Sequence, residues 1–210
     1  RWSDYSEVSQ TPAGVEFPFP GLEIEMNKLL AASLALAVTA TTAVGFAADE
    51  VKSGLQPQEK AGFFLVKDVT GPNKDKSLCY RCKFGGRPVA AIFTREINDE
   101  LAGLVKKLDD AVDKNKEKQL QSFVILLTND PDADEKKLEA LAKKHELKSV
   151  PLTMFDGVTG PETYKISKDA ETTVLLWKGL TVQSNHAYAK GKFNKDSTAA
   201  VMKDLDKIIQ

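Results

Sequence analysis

Beyond about residue 60 the chain alternates short apolar runs with charged stretches of helical spacing, and this alternation lays out the elements. GFFLVKDVTG (62–71) is rich in aromatics and valine and closes on Thr70-Gly71-Pro72, which predicts a strand ending in a turn. A second short strand is expected from Ser77 to Tyr80. The run from Val89 to Phe93 is apolar at every position, as a central strand covered on both faces requires. At Ile97 the period changes. Ile97, Leu101, Leu104, Leu108 and Val112 recur at three- and four-residue steps with charges between them, predicting an amphipathic helix with Thr94 as its N-cap.

SFVILLTND then predicts another buried strand. Asp130-Pro131 followed by Asp132, Asp134 and Glu135 is a helix start, with an acid at the N-cap, Pro at N1 and acids in the first turn; this helix should run to about Leu147. Strands are expected at Val150 to Phe155, Thr172 to Trp177 and Leu180 to Asn185, the last two joined through Lys178-Gly179. A closing helix capped by Asp196-Ser197-Thr198 presents Val201, Leu205 and Ile208. The order is β-(β)-β-α-β-α-β-β-β-α, which argues for an α/β sheet with helices on both faces.

The first 60 residues read differently. Met26 to Ala47 has a basic start at Lys28, an apolar stretch from Leu29 to Phe46, and Gly45 and Ala47 at the −3 and −1 positions of a cleavage site, as a secretory signal peptide does. It is weakly apolar and rich in Ala and Thr, unlike a spanning helix. Residues 1–25 precede that Met and are expected to be a non-native or misassigned leader without a core pattern, and residues 48–60 a flexible lead-in. Export to the periplasm or the cell exterior follows, with no stable membrane anchor after cleavage. The remaining chain of about 160 residues suits a single domain. It carries 27 Lys and Arg against 25 Asp and Glu, which gives no electrostatic footprint for nucleic acid or a membrane surface.

Three passages resemble the thioredoxin superfamily, in particular the redoxin branch of peroxiredoxin-like and membrane-anchored thioredoxin-like proteins. GFFLVKDVTG is similar to a redoxin opening strand F-x-L-x-D-x-x-G, RPVAAIFTRE and the Ile97 helix to the central strand and active-site helix, and DAETTVLLWKGLTV to the strand after the cis-proline with its hairpin partner. The resemblance implies a thioredoxin-like fold: a central mixed sheet between helices with an N-terminal β-hairpin. It also implies a cysteine where the central strand enters its helix, because a helix N-terminus lowers a thiol's pKa. That place reads Thr94-Arg95-Glu96-Ile97, so Ile97 stands where T-x-x-C has its cysteine, and Glu171 stands where the cis-proline belongs. Pro151 is a second proline position, one strand earlier.

The only cysteines are Cys79 and Cys82, in LCYRCKFGGRP, ahead of the central strand. One reading is a reversible dithiol–disulfide that exchanges with a partner protein, with Arg81 and Lys83 favouring thiolate and Gly85-Gly86 leaving the pair on an exposed loop. Cys79 would then attack and Cys82 resolve, following the usual order in C-x-x-C proteins. The competing reading is a permanent disulfide in a non-catalytic binding or scaffold domain, natural in an oxidising compartment, although a ring this short removes little unfolded-state entropy. A zinc knuckle needs further donors, and only His145, on a charged helical stretch, and His186, past the last expected strand, are available. Haem attachment needs His where Lys83 stands. No cofactor and no metal are expected. Trp177 and the phenylalanines at 63, 64, 93, 123 and 155 read as core, and DDAVDKNKEKQ and DEKKLEALAKKHELK as solvated helix faces. No phosphate loop, nucleophile elbow or zincin helix is present.

Overall fold

The computed structural model describes residues 51–210. The signal-peptide segment and the leader lie outside the described residues. Seven strands form one mixed sheet in the order β2-β1-β5-β4-β3-β6-β7. They are β1 (Val66–Asp68), β2 (Ser77–Leu78), β3 (Val89–Thr94), β4 (Gln121–Thr128), β5 (Leu152–Asp156), β6 (Ala170–Lys178) and β7 (Thr181–Ala189). β3, β4 and β5 run parallel, while β1 and β6 flank them antiparallel. β1 and β2 form the expected N-terminal hairpin.

β3 sits near the middle of the sheet, and all six of its residues are buried. Its side chains alternate between two cores: Ala90 and Ile92 enter one, Val89, Ala91 and Phe93 the other. The first core is closed by the helices α2 (Asp99–Lys114), α3 (Pro131–Lys144), α4 (Lys195–Asp204) and α5 (Asp206–Ile209), through residues such as Leu104, Leu108, Leu138, Val201 and Ile208. The second is closed by less regular structure. A short helix α1 (Tyr80–Phe84), a single 3₁₀ turn at Glu162–Tyr164, and the N-terminal segment through Leu55, Ala61 and Phe64 cover Phe93, Phe123, Leu175 and Trp177.

Several boundaries differ from expectation. The helix after β3 begins at Asn98, whose side chain accepts from the Leu101 N–H, while Thr94 ends β3 and bonds across to Thr172. Asn194, not Asp196, caps α4, with Ser197 completing a capping box. The β6–β7 turn centres on Gly179 and Leu180, at φ 59° and 65°, the doubly left-handed pair that a tight hairpin demands. Residues 51–60, expected as a flexible lead-in, are tied down. Asn185 Nδ2 donates to the carbonyls of Ser53 and Leu55 at 2.7 Å, Ser53 shares a hydroxyl hydrogen bond with Thr173, and Glu59 O accepts from Val182 N–H. None of the described helices is long and apolar enough to cross a membrane.

Candidate functional site

Where β2 ends, Cys79 takes an extended conformation and becomes the N-cap of α1, its Sγ accepting the Cys82 N–H at 3.0 Å. Three residues on, one helical turn brings Cys82 back, and the two are joined as a disulfide with their Cα atoms 5.2 Å apart. The aromatic side of this turn fixes it to the sheet. Tyr80 stacks on Phe123 of β4 with ring centroids 5.2 Å apart, Phe84 meets the same ring edge-on at 5.9 Å, and Tyr80 OH donates to buried Asp68 at 2.7 Å. Burial first, and donation to Asp68 second, hold the Tyr80 hydroxyl well above its ordinary pKa, so it stays a donor at all physiological pH. Gly85, at φ 58°, ends the helix.

With Tyr80 and Phe84 turned inward, Cys82 and Lys83 face solvent. Cys79 is buried, 8% exposed. The pair therefore lies on a pinned helical turn rather than on a loop, and its second cysteine is the accessible one. Periodicity does not mark so short a helix; Tyr80 and Phe84 four apart around C-x-x-C are the only signal of it.

At the opposite end of β3 from the α1–β3 link, about 17 Å along the strand, the chain leaves the sheet through Arg95 and Glu96. This link is latched to β6. Arg95 N–H donates to Glu171 O at 3.0 Å, its guanidinium donates to Val158 O at 2.9 Å and to Ala170 O, and Thr94 Oγ1 lies 3.3 Å from Thr172 Oγ1. The Glu171 carboxylate accepts from Gly191 N–H at 3.1 Å. Burial raises its pKa above the ordinary value, with Glu96 adding to the rise and the Gly191 N–H opposing it.

No family model and no curated protein matches the sequence. Solved structures match the architecture. A protein assigned as thiol:disulfide interchange protein DsbE from Chlorobium tepidum aligns over 74% of this chain and 99% of its own, at 14% identity and a TM-score of 0.57. One assigned as a protein disulfide isomerase from Bacteroides thetaiotaomicron covers 76% and 94%, at 16% identity and 0.56. The 2-Cys peroxiredoxin of Plasmodium vivax covers 73% and 96%, at 16% and 0.53. The domain has a thioredoxin-like fold.

Within this thioredoxin-like fold, the two places where the resemblance implies a cysteine and a cis-proline, Thr94 to Ile97 and Glu171, come together as the Arg95–Glu171 latch. Ile97 packs against the helical core. The latch holds no thiol; both cysteines of this chain lie at the start of α1.

The histidines do not join the pair. His186 lies within β7, opposite Val174, whose side chain enters the helix-covered core; its Nε2 is 3.1 Å from Asp204 and 3.2 Å from Ser184, on the sheet face away from α1. Burial pulls its pKa down against the pull of Asp204. His145 caps α3 and is half-buried rather than fully solvated. Asp109 departs furthest from expectation. Placed on a solvated face by its charged neighbours, it is 1% exposed and accepts three successive backbone N–H groups, from Lys148, Ser149 and Val150, at 2.7 to 3.0 Å. Phe63 also differs: expected in the core, it is exposed.

Proposed function

We propose that the chain is an exported protein that exchanges disulfides with a partner protein through Cys79 and Cys82. The observation that carries this reading is the unequal placement of the two cysteines: Cys82 open to solvent, Cys79 buried and accepting a backbone N–H. A partner thiolate that reaches Cys82 Sγ forms a new S–S bond there and breaks the Cys79–Cys82 bond. The electron pair leaves on Cys79 Sγ, where the Cys82 N–H at 3.0 Å stabilises the thiolate. A second partner thiolate then attacks the partner's own sulfur in the mixed disulfide. Cys82 is released as thiolate, the partner leaves oxidised, and the domain is left as a dithiol. Every step reverses when the partner arrives as a disulfide. The roles are opposite to the usual C-x-x-C order, with Cys82 the exchanging sulfur and Cys79 the resolving one.

Single-cysteine variants test this assignment. Cys79→Ser, which leaves Cys82 without a resolving thiol, should trap a stable mixed disulfide with a thiol-reactive partner, and Cys82→Ser should trap at least tenfold less. Equal trapping by both, or trapping only through Cys79, contradicts the assignment.

The second reading, a binding domain whose disulfide is permanent, is favoured by Ile97 and Glu171 at the places where the resemblance implies a cysteine and a cis-proline. It predicts partner capture unchanged when both cysteines are serine.

A further inference from the structure

We propose that Gly62 to Leu65 is a docking strip for the exchange partner, and that it accepts an extended polypeptide segment with apolar side chains beside its cysteine and acidic residues flanking them. This rests on the exchange reading above and names the class of substrate.

Two fixed points place the strip. Arg81 Nε donates to Ala61 O at 3.0 Å, and Val66 pairs with Leu78 in the β1–β2 ladder. Residues 62–65 therefore run antiparallel alongside residues 79–82, the span that holds the disulfide. Along the strip the side chains alternate as in a strand. Phe64 and Val66 are 5% and 3% exposed and enter the core, whereas Phe63 and Leu65 are 62% and 51% exposed. These two are the most exposed large apolar side chains among the described residues, and they belong to the strip that runs beside the span holding the disulfide.

The backbone is open as well. The ladder begins at Val66, and among the described residues no backbone hydrogen bond holds Phe63, Phe64 or Leu65. An extended segment laid along the strip can pair with these groups and set apolar side chains at every second position against Phe63 and Leu65.

Charge selects the flanks of that segment. Residues 60–67 and 78–88 carry Lys60, Lys67, Arg81, Lys83 and Arg87 and no Asp or Glu. Lys67 pairs with Glu135, but Lys60, Lys83 and Arg87 form no ion pair among the described residues. The positive side chains of these two spans steer an acidic partner toward the strip and disfavour a basic one.

The test is the rate at which the oxidised protein is reduced by three thiols: glutathione, a cysteine peptide with Leu and Phe beside the thiol and Glu at its ends, and a matched peptide with Ser and Lys at those positions. The first peptide should outpace the second at least tenfold at low salt, and the Phe63→Ser/Leu65→Ser variant should lower the ratio of its rate to the glutathione rate at least fivefold. Equal rates for the two peptides on the unaltered protein overturn the docking strip, with or without the variant. A ratio that the double substitution leaves where it was overturns it too. Failure of all three thiols to reduce the protein overturns the exchange reading itself, so the two failures are told apart.

Discussion

A single buried carboxyl, Glu171, stands beside the link that leaves β3. Glu171 is 7% exposed, and its Oε2 accepts one backbone N–H. Its raised pKa, caused first by burial and reinforced by Glu96, has a definite sign in stability. The folded state prefers the protonated acid, so the contribution of this group is complete below the ordinary carboxylate value of about 4.3 and is lost as pH rises through the raised value. Glu171→Gln is neutral throughout and keeps a carbonyl to accept the Gly191 N–H. Its Tm should match that of the unaltered protein near pH 4 and exceed it at pH 7; a difference that does not change between those pH values contradicts the assignment. The cysteine pair itself was legible from its motif alone. Which sulfur faces outward was not, because that depends on Tyr80 and Phe84 finding Phe123, which lies 43 residues after Tyr80 in the sequence.

At the scale of elements, the buried central strands, the amphipathic helices and the Asp130 cap of α3 could be read from the sequence, and the caps of α2 and α4 could not. Thr94 and Asn98 are both acceptable N-caps four residues apart. Pairing with Thr172 keeps Thr94 in the sheet and leaves the cap to Asn98. Asp109 was hidden for a related reason. It occupies the last strongly apolar face of α2 but lies among Lys106, Lys107, Asp110 and Asp113, which mask a buried position in the sequence. Its carboxylate gathers the N–H groups of residues 148–150 and so sets the entry into β5. Asp109→Ala leaves those donors unpaired and should cost about 3 kcal/mol, seen as a lower urea midpoint at unchanged m-value. A loss below about 0.5 kcal/mol, the range of ordinary surface substitutions, would contradict this role.

At the scale of the molecule, element order was enough to anticipate an α/β sheet and the resemblance implied a mixed sheet with a leading hairpin, and the seven-stranded mixed sheet with its β1–β2 pair agrees with both. The uneven cover of the two faces was not anticipated. The four helices after β3 share one face, and the other is closed by the 51–65 segment and α1. Closing that face with irregular chain brings the C-x-x-C and an unpaired extended strip side by side on the surface, away from the latch that fills the end of β3.

The reduction potential of the Cys79–Cys82 couple in the purified protein tests the central claim most directly. A disulfide that turns over, with an accessible sulfur and a stabilised leaving thiolate, should equilibrate with glutathione or dithiothreitol at a potential above about −300 mV. A potential well below that value, with both cysteines protected from alkylation after mild reduction, would make the pair a permanent staple and contradict the account.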